Sequence, residues 1–373
     1  MKSHAPVEDR LGVLDALRGL LAVWVMVAHV ASRVLTDTAV QKLHLQAVFE
    51  PLIPVYIFMI LSGFVIFHLL HRQYDGYQAF LVRRFFRLTP LYFFILPISV
   101  LMAGFELHTL ELLPWINGDI LDSIKVHRNA LKEFWPHVIA HVSLLHGAIS
   151  DWILEDAPFT FLSQGWSISL EWQFYLIAPA LFLLAKPGRL LWLALAVLVL
   201  VILGSIGYGA VGYLPSQLIF FAVGILSFYL FRYSTWYARI NGQVRGAAVL
   251  AAAVALYYWA TNPLPWMVWL ITMHILFAHR MEPSFMGRIS GSRPLIRLGD
   301  ISYSIYLLHI PILYIVFFLL LRIFPALEPW QFLSMALPCT LGATLAGAIL
   351  THRFIEKPGI KLGRALAHRI AYR

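Results

Sequence analysis

About ten windows of roughly 20 mostly apolar residues divide this chain of 373 residues, and they constrain its fold more than any other feature. Hydrophobic residues make up 60% of the chain and charged residues 13%, whereas soluble domains carry about 25% charged residues. The sequence therefore predicts an all-α integral membrane protein, a single domain over residues 1–373 built as a bundle of about ten transmembrane helices. The predicted spans lie near residues 13–33, 51–71, 88–104, 166–185, 189–207, 214–232, 246–261, 264–279, 302–322 and 331–352, with a large external loop at 105–165.

The positive charges follow the predicted spans rather than forming one patch. With the N-terminus in the cytoplasm, 21 of the 28 Lys and Arg residues fall on the cytoplasmic side, many of them in segments 72–87 and 280–297 and in the tail from Arg353. The positive-inside rule therefore predicts that both termini are cytoplasmic. The formal net charge of +9 thus reflects the excess of Lys and Arg on the cytoplasmic side of the membrane, and no nucleic-acid partner is expected.

The first predicted span, Leu14 to Val30, contains two ionisable residues, Arg18 and His29. They are eleven positions apart, so both side chains share one helix face, roughly 16 Å apart along the axis. Ionisable side chains inside a membrane span are expensive and usually functional. The alternative is structural, with Arg18 extending towards the membrane surface and His29 bonding a neighbouring helix.

Two further groups of charged residues lie close to predicted spans. Arg83, Arg84 and Arg87 stand at the cytoplasmic end of the third span, where guanidinium groups suit phosphates, although positive-inside charge alone explains them equally well. Glu171 lies about two turns below the outer surface, at a depth that His29 could share. A carboxylate near an imidazole suits general-base chemistry, and the alternative is a carboxylate that bonds Ser167 or Ser169 between helices.

Other reactive side chains predict little chemistry on their own. His137 and His141 are four residues apart with His146 nearby, but no His-Glu-x-x-His motif accompanies them, so no metal site is expected. Cys339 is the only cysteine and excludes an internal disulfide. Glu356 lies among basic residues at a span end, where surface ion pairing is the simplest interpretation.

Six ordered motifs across nearly the whole chain resemble the membrane-bound acyltransferase-3 family. We expect no appended soluble esterase-like domain of the kind found in some relatives, because only about fifteen residues follow Pro358. The matching motifs are Arg18-x10-His29, Leu61-Ser62-Gly63-Phe64, Arg84-x-x-Arg87, the WSISLEWQFY stretch with Trp166 and Glu171, the SYSIYLLH stretch from Ser302 to His309, and Glu356-x-Pro358.

The resemblance implies an O-acetyltransferase of the bacterial inner membrane that takes an acyl group, usually acetyl, from cytoplasmic acyl-coenzyme A. It implies no metal. His29 would act as general base or transient acyl carrier, with Glu171 and Arg18 as further catalytic residues. The acceptor would be a hydroxyl of an envelope sugar, polysaccharide or lipid-linked glycan on the outer face. The residues expected to bind the donor are Arg83, Arg84, Arg87, Ser62, Tyr303 and His309.

Two alternative functions stay open from the sequence. One is an O-acyltransferase that modifies an antibiotic or another small molecule. The other is a proton-coupled secondary transporter in which Arg18, His29 and Glu171 form a proton relay. The missing internal repeat argues against the transporter. The oligomeric state is open as well.

Overall fold

The computed structural model describes residues 11–35, 46–206, 209–234, 240–281 and 285–371, and every regular element in these ranges is helical. The predicted all-α class is confirmed for this part of the chain. Both extreme termini, and residue 207 at the end of the fifth predicted span, lie outside these ranges. The helices are α1 Gly12–Ser32, α2 Gln46–Phe49, α3 Leu52–Arg72, α4 Tyr77–Glu111, α5 Gly118–Lys132, α6 Phe134–Val142, α7 Gly165–Leu184, α8 Leu190–Ser205, α9 Leu214–Tyr233, α10 Gly242–Trp259, α11 Leu264–Met281, α12 Phe285–Ser290, α13 Arg293–Asp300, α14 Ser302–Ile323, α15 Pro329–Thr351 and α16 Lys357–Ala371.

Seven of the described helices are long and apolar enough to cross a membrane, by length and composition. They are α1, α3, α4, α7, α9, α14 and the helical run Pro329–Ala371. All ten predicted windows fall on helices, but the apolar helices Leu190–Ser205 and Leu264–His279 are shorter. The number of about ten spans therefore stays a prediction, as does the orientation of the termini.

Helix α4 begins well before its predicted span of 88–104, at Tyr77, and runs for 35 residues. At a rise of 1.5 Å per residue it is about 52 Å long, well beyond the ~30 Å of a hydrocarbon core. The three arginines of segment 83–87 consequently lie inside a helix. Because successive residues are rotated by about 100°, Arg83 and Arg84 leave that helix in different directions.

Glycines bring the backbones of α3 and α9 into direct contact. A Cβ atom at Gly224 would overlap the backbone carbonyl oxygen of Ile60, and one at Gly63 would overlap that of Phe221. Glycine is needed where two backbones approach this closely. This contact fixes the position of α3, which forms one long wall of the candidate site.

A five-residue π-helical turn, His352–Glu356, joins α15 to α16. Helix α16 then packs antiparallel to the first half of α4, where Gly359 and Gly363 meet Pro90 and Phe86. Single π turns inside helices often occur at functional sites. Here the turn directs Glu356 into the protein interior.

The segment predicted as a large external loop is partly helical and is tied to the end of α1. Asn117 caps α5 by accepting a hydrogen bond from the backbone of Ile120 at 2.9 Å, and its amide donates to the carbonyl of Ser32 at 2.8 Å. The indole of Trp115 donates to the carbonyl of Arg33 at 2.9 Å. These bonds hold the end of α1, one turn from His29, against residues 105–165, which we call the covering segment.

Candidate active site

An elongated cavity of about 290 Å³ lies between α1, α3, α4, α7, α9 and α14. Its wall on α3 extends from Val55 to Leu69, which is about 21 Å at 1.5 Å per residue. We call it the channel. Most of its wall is aliphatic or aromatic, and its polar and charged lining residues are Arg18, Ser62, Arg84, Arg87, Ser167, Glu171, Tyr175, Ser302, Tyr303 and Tyr306.

Three arginines line the channel, and their partners differ. Arg84 lies over the ring of Tyr175 at 5.8 Å, and its buried Nε has no hydrogen-bond partner. Arg18 pairs with Asp15 at 3.4 Å, one turn away on α1. Arg87 forms a salt bridge with Glu356. Arg84 therefore has the guanidinium with the most unused capacity to bind an anion in this group.

Glu356 is buried, contrary to the expectation of surface pairing. Its carboxylate is fully enclosed, pairs with Arg87 and accepts a hydrogen bond from Ser304 Oγ at 2.7 Å. Glu356 ends the π turn that follows α15, Arg87 is on α4 and Ser304 is on α14. The interactions of this carboxylate therefore join three helical segments. Sequence reasoning missed this role, although the spacing of Glu356 to Pro358 had marked the segment.

Arg83 lies apart from the channel lining, unlike its two neighbours. Its guanidinium donates two hydrogen bonds to the carboxylate of Asp75, one of them at 2.6 Å. This interaction holds the pKa of Asp75 below its ordinary value. The structure thus separates Arg83 from Arg84 and Arg87, and its expected role in donor binding stays a prediction.

Glu171 lies in the channel wall, and its described partners are other channel residues rather than His29. Ser62 Oγ donates to its carboxylate at 3.4 Å, and the hydroxyl of Tyr175 donates to the same oxygen. Tyr303 also lines the channel, but its hydroxyl donates to the carbonyl of Leu88 at 2.6 Å. Both Ser62 and Tyr303 thus have their hydroxyl protons engaged.

Tyr306 and Ser167 line the channel further along α14 and α7, beyond Tyr303 and Glu171. The Tyr306 hydroxyl lies 2.7 Å from Ser167 Oγ and donates to the carbonyl of Gln164 at 3.0 Å. Pro311 has no N–H, so the carbonyl of Leu307 lacks its helical partner. The amide of Gln164 fills that place, donating to Leu307 at 2.9 Å. This arrangement locks the turn of α14 that carries Tyr306.

His29 and His309 form a pair next to Tyr306. Their ring centroids are 5.1 Å apart, and His309 is 5.9 Å from the ring of Tyr306. His309 is completely buried and His29 is half-buried. Neither histidine lines the channel directly. The structure therefore brings His309 to His29 rather than to the donor-binding wall where the sequence placed it.

Backbone carbonyls define the tautomers of both histidines. His29 Nδ1 lies 2.9 Å from the carbonyl oxygen of Val25, and His309 Nδ1 lies 2.7 Å from that of Tyr306. A carbonyl oxygen only accepts hydrogen bonds, so each Nδ1 carries the hydrogen. In the neutral rings, each Nε2 then presents a lone pair, which is the state a general base requires.

The three histidines of the covering segment form a separate buried cluster. The rings of His141 and His146 stack at 3.9 Å with 19° between their planes, and Thr160 Oγ1 lies 3.2 Å from both His137 and His141. Burial lowers the pKa of His141 well below its ordinary value and that of His146 to about 3. In stacked rings the lone pairs do not converge on one point. Among the described residues, no group of three His, Cys, Asp or Glu is arranged to hold a metal.

Comparison with known proteins decides the class of this site. Residues 11–352 match the acyltransferase domain of the acyltransferase-3 family. The chain belongs to this family. It is an acyltransferase, and no solved structure matches it.

Two relatives are named as transferases. The acyltransferase is 26% identical over 388 residues to acyltransferase MdmB of Streptomyces mycarofaciens, covering 95% of this chain and 92% of the relative. It is 28% identical over 342 residues to peptidoglycan O-acetyltransferase OatA of Listeria monocytogenes, covering 83% of this chain. The matched part is 51% of OatA, so the chain spans about half the length of that relative.

The acyltransferase thus gathers most of its sequence-predicted site residues around one channel. Arg18, Arg84, Arg87, Ser62, Glu171 and Tyr303 all line it. His29 and His309 stand together beyond Tyr306, whereas Arg83 is held by Asp75. Tyr306, Ser167 and Glu356 are the residues that the sequence did not single out for the site.

Proposed function

We propose that this acyltransferase transfers an acetyl group from acetyl-coenzyme A to a hydroxyl of an envelope sugar or polysaccharide. One observation carries the proposal: a channel with three arginines in its wall leads to Tyr306, which contacts His309, and His309 in turn contacts His29. In this proposal the chain spans the bacterial inner membrane about ten times with both termini in the cytoplasm. The donor enters from the cytoplasm and the acceptor binds on the outer face.

The channel suits a donor with phosphates at one end and a long slender arm. Arg84 has an unpartnered Nε and Arg18 has a weak partner, so these two guanidinium groups bind the phosphates. Arg87 is shared with Glu356 and contributes mainly by holding the wall. The arm lies along the apolar face of α3, and its thioester reaches the neighbourhood of Tyr306.

His29 acts as the general base in this mechanism. Its Nε2 takes the proton of the acceptor hydroxyl as that oxygen attacks the thioester carbonyl carbon. The new carbon–oxygen bond forms, the carbon–sulfur bond breaks, and the thiolate of coenzyme A takes the proton from His29. The products are the acetylated acceptor and coenzyme A with its thiol restored.

The developing oxyanion needs hydrogen-bond donors close to His29. The hydroxyls of Ser62, Tyr303 and Tyr306 all donate to other groups, to Glu171, Leu88 and Gln164. Tyr306 is the one whose ring contacts His309, and in this proposal its hydroxyl turns from the Gln164 carbonyl to the oxyanion. We therefore assign the oxyanion contact to Tyr306, with Ser167 as its neighbour. Glu171 orders Ser62 and Tyr175 in the channel wall.

A polysaccharide hydroxyl is the acceptor that the relatives favour. OatA is named for O-acetylation of peptidoglycan, and MdmB is named as an acyltransferase. A small-molecule acceptor is the alternative within the same chemistry. Family membership supports the enzyme over the transporter, because it accounts for the ionisable residues without solute movement.

Reconstituted liposomes test this proposal. Acetyl-coenzyme A labelled in its acetyl group is added outside, with peptidoglycan fragments or a small hydroxylated acceptor enclosed in parallel samples. The wild type should label the enclosed glycan, and His29→Ala should bind the donor normally but lose at least a hundredfold in transfer rate, in keeping with general-base contributions of roughly 10²–10⁴. Transfer by His29→Ala at the wild-type rate would contradict the assignment of the base.

A further inference from the structure

We propose that helix α6 lies in the membrane interface and packs an outward face, formed by Trp135, Ile139 and Val142, against the acyl chains of the surrounding lipid. We call this surface the α6 apolar face. Its partner is the hydrocarbon of a bilayer rather than a charged headgroup. Residues 134–150 of the predicted external loop therefore lie beside the membrane helices and not above them.

Helix α6 is amphipathic in the opposite sense to a helix on a water-facing surface. Trp135, Ile139 and Val142 are 69%, 68% and 54% exposed, whereas His137 and His141 are completely buried. The three apolar positions follow the i, i+4, i+7 spacing of a single helix face. A helix in contact with water buries its apolar face and exposes its ionisable residues. A helix in contact with lipid turns ionisable side chains inwards, as α6 does.

The chain around α6 is uncharged, and charged residues mark both of its limits. Glu133 and Asp151 bound the stretch, and residues 134–150 between them include no Asp, Glu, Lys or Arg. Helix α6 itself has nine residues. At 1.5 Å per residue it is about 14 Å long, less than half of the ~30 Å hydrocarbon core. It is thus too short to span a bilayer, but its length suits a position in the interface with one face in the acyl chains.

The buried face of α6 contacts two candidate membrane helices within their own lengths. The Tyr92 hydroxyl, on α4, lies 3.1 Å from Nδ1 of His141 and donates to its carbonyl oxygen at 3.2 Å. Beyond the helix, Leu144 has a φ of 60°, and the N–H of Gly147 donates at 3.1 Å to Ser169 Oγ in the second turn of α7. Both α4 and α7 are long and apolar enough to cross a membrane. The opposite face of α6 consequently points towards the lipid that surrounds them.

The size and setting of the α6 apolar face favour lipid over a second protein. A stable protein interface uses about 20–30 residues from each partner, whereas this face consists of three side chains on one short helix. Phe93 and Phe94 directly follow Tyr92 on α4 and are exposed as well. Apolar side chains of a candidate membrane helix therefore face outwards at the same level as α6, and hydrocarbon can cover both surfaces.

Fluorescence quenching in vesicles tests the position of α6. Cys339 is the only cysteine of the chain and is exposed, so Cys339→Ser provides a cysteine-free background. Ile139→Cys is introduced into this background and labelled with bimane, and the full chain is reconstituted into phosphatidylcholine vesicles with ordinary or brominated acyl chains. Bromine on the acyl chains quenches a dye in hydrocarbon, whereas iodide, present on both sides of the membrane, quenches a dye in water.

Two matched positions calibrate the measurement. Leu226→Cys on α9 is 59% exposed on a candidate membrane helix, and Asp122→Cys is exposed on α5 of the covering segment. We expect the dye at position 139 to be quenched by brominated lipid as strongly as at 226, and by iodide much less than at 122. Val142→Cys, on the same face, should give the same result and replaces Ile139→Cys if that variant aggregates.

Two outcomes would overturn the proposal. Quenching by iodide as strong as at Asp122→Cys, without quenching by brominated lipid, would place the α6 apolar face in water. Quenching by neither agent would show that protein covers the face, either a second copy of this chain or another segment of the same one. Neither result bears on acetyl transfer, so the proposed function is tested separately.

Discussion

The salt bridge between Arg87 and Glu356 offers the sharpest test of the structure. Glu356 has no exposed side-chain surface, and Arg87 is 23% exposed. Ser304 Oγ donates to the same carboxylate at 2.7 Å. In Glu356→Gln, the amide oxygen can still accept the hydrogen bond from Ser304, but the amide nitrogen then faces Arg87. Both groups are hydrogen-bond donors, so the largely buried guanidinium loses its counter-charge.

Removing one partner of a buried pair usually costs about 3–5 kcal/mol of stability. At about 2 °C per kcal/mol for a chain larger than a small domain, Glu356→Gln should melt roughly 6–10 °C below the wild type. The double variant Arg87→Met/Glu356→Met removes both charges and should recover most of this loss, because an apolar pair of similar size fills the same space. Melting in detergent, followed by size-exclusion chromatography, measures both.

The matched control is Glu111→Gln. Glu111 accepts from Arg128 at 2.8 Å, but both side chains are well exposed, at 42% and 64%. Exposed pairs contribute little, so this variant should melt with the wild type. Equal melting temperatures for Glu356→Gln and Glu111→Gln would refute the burial of Glu356 and its role in joining α4, α14 and the π turn.

Three further predictions concern the channel, the helix contacts and the covering segment. Arg84→Gln should raise the donor KM about tenfold or more through loss of a charged contact, whereas Arg83→Gln, beside Asp75, should change it little; equal effects would contradict the channel lining. Gly224→Ala should lower the melting temperature because its Cβ meets a backbone carbonyl, and Gly342→Ala, with open space around it, serves as the neutral control. Burial lowers the pKa of His146 to about 3, so as pH falls below about 6.5 the unfolded chain binds a proton that the folded chain does not, and stability falls. The melting temperature between pH 7.5 and pH 5 should therefore fall less steeply in His146→Phe than in the wild type. An unchanged slope would argue against burial of the neutral ring.

The acyltransferase class followed from six short motifs that are spread in order along nearly the whole chain. Arg18, His29 and Glu171 were recognisable because ionisable side chains in apolar windows are costly and therefore rare, and Arg84 was recognisable from the Arg84-x-x-Arg87 motif. Their chemical types suit phosphate binding and general-base chemistry, but the acyl donor itself followed only from the family resemblance. The comparisons confirmed the class, while the donor, acceptor and individual roles stay proposals.

The partners of these residues were much harder to predict. Arg83 and Arg84 are adjacent in sequence, yet one pairs with Asp75 and the other lines the channel. Their separation depends on α4 starting at Tyr77, which the apolar window did not reveal because its first turns are polar. Glu171 was expected near the depth of His29 as a partner for its imidazole, but its hydrogen bonds go to Ser62 and Tyr175.

The sequence by itself determined that the chain is helical and apolar, and it marked where ionisable groups interrupt that pattern. Periodicity and hydropathy are local properties, so they specify helices and the face on which Arg18 and His29 lie. Only the tertiary structure decided that His309 adjoins His29 and that Glu356 is buried against Arg87. Those pairings join residues about 270–280 positions apart, and they depend on how the helices pack, which no local pattern contains.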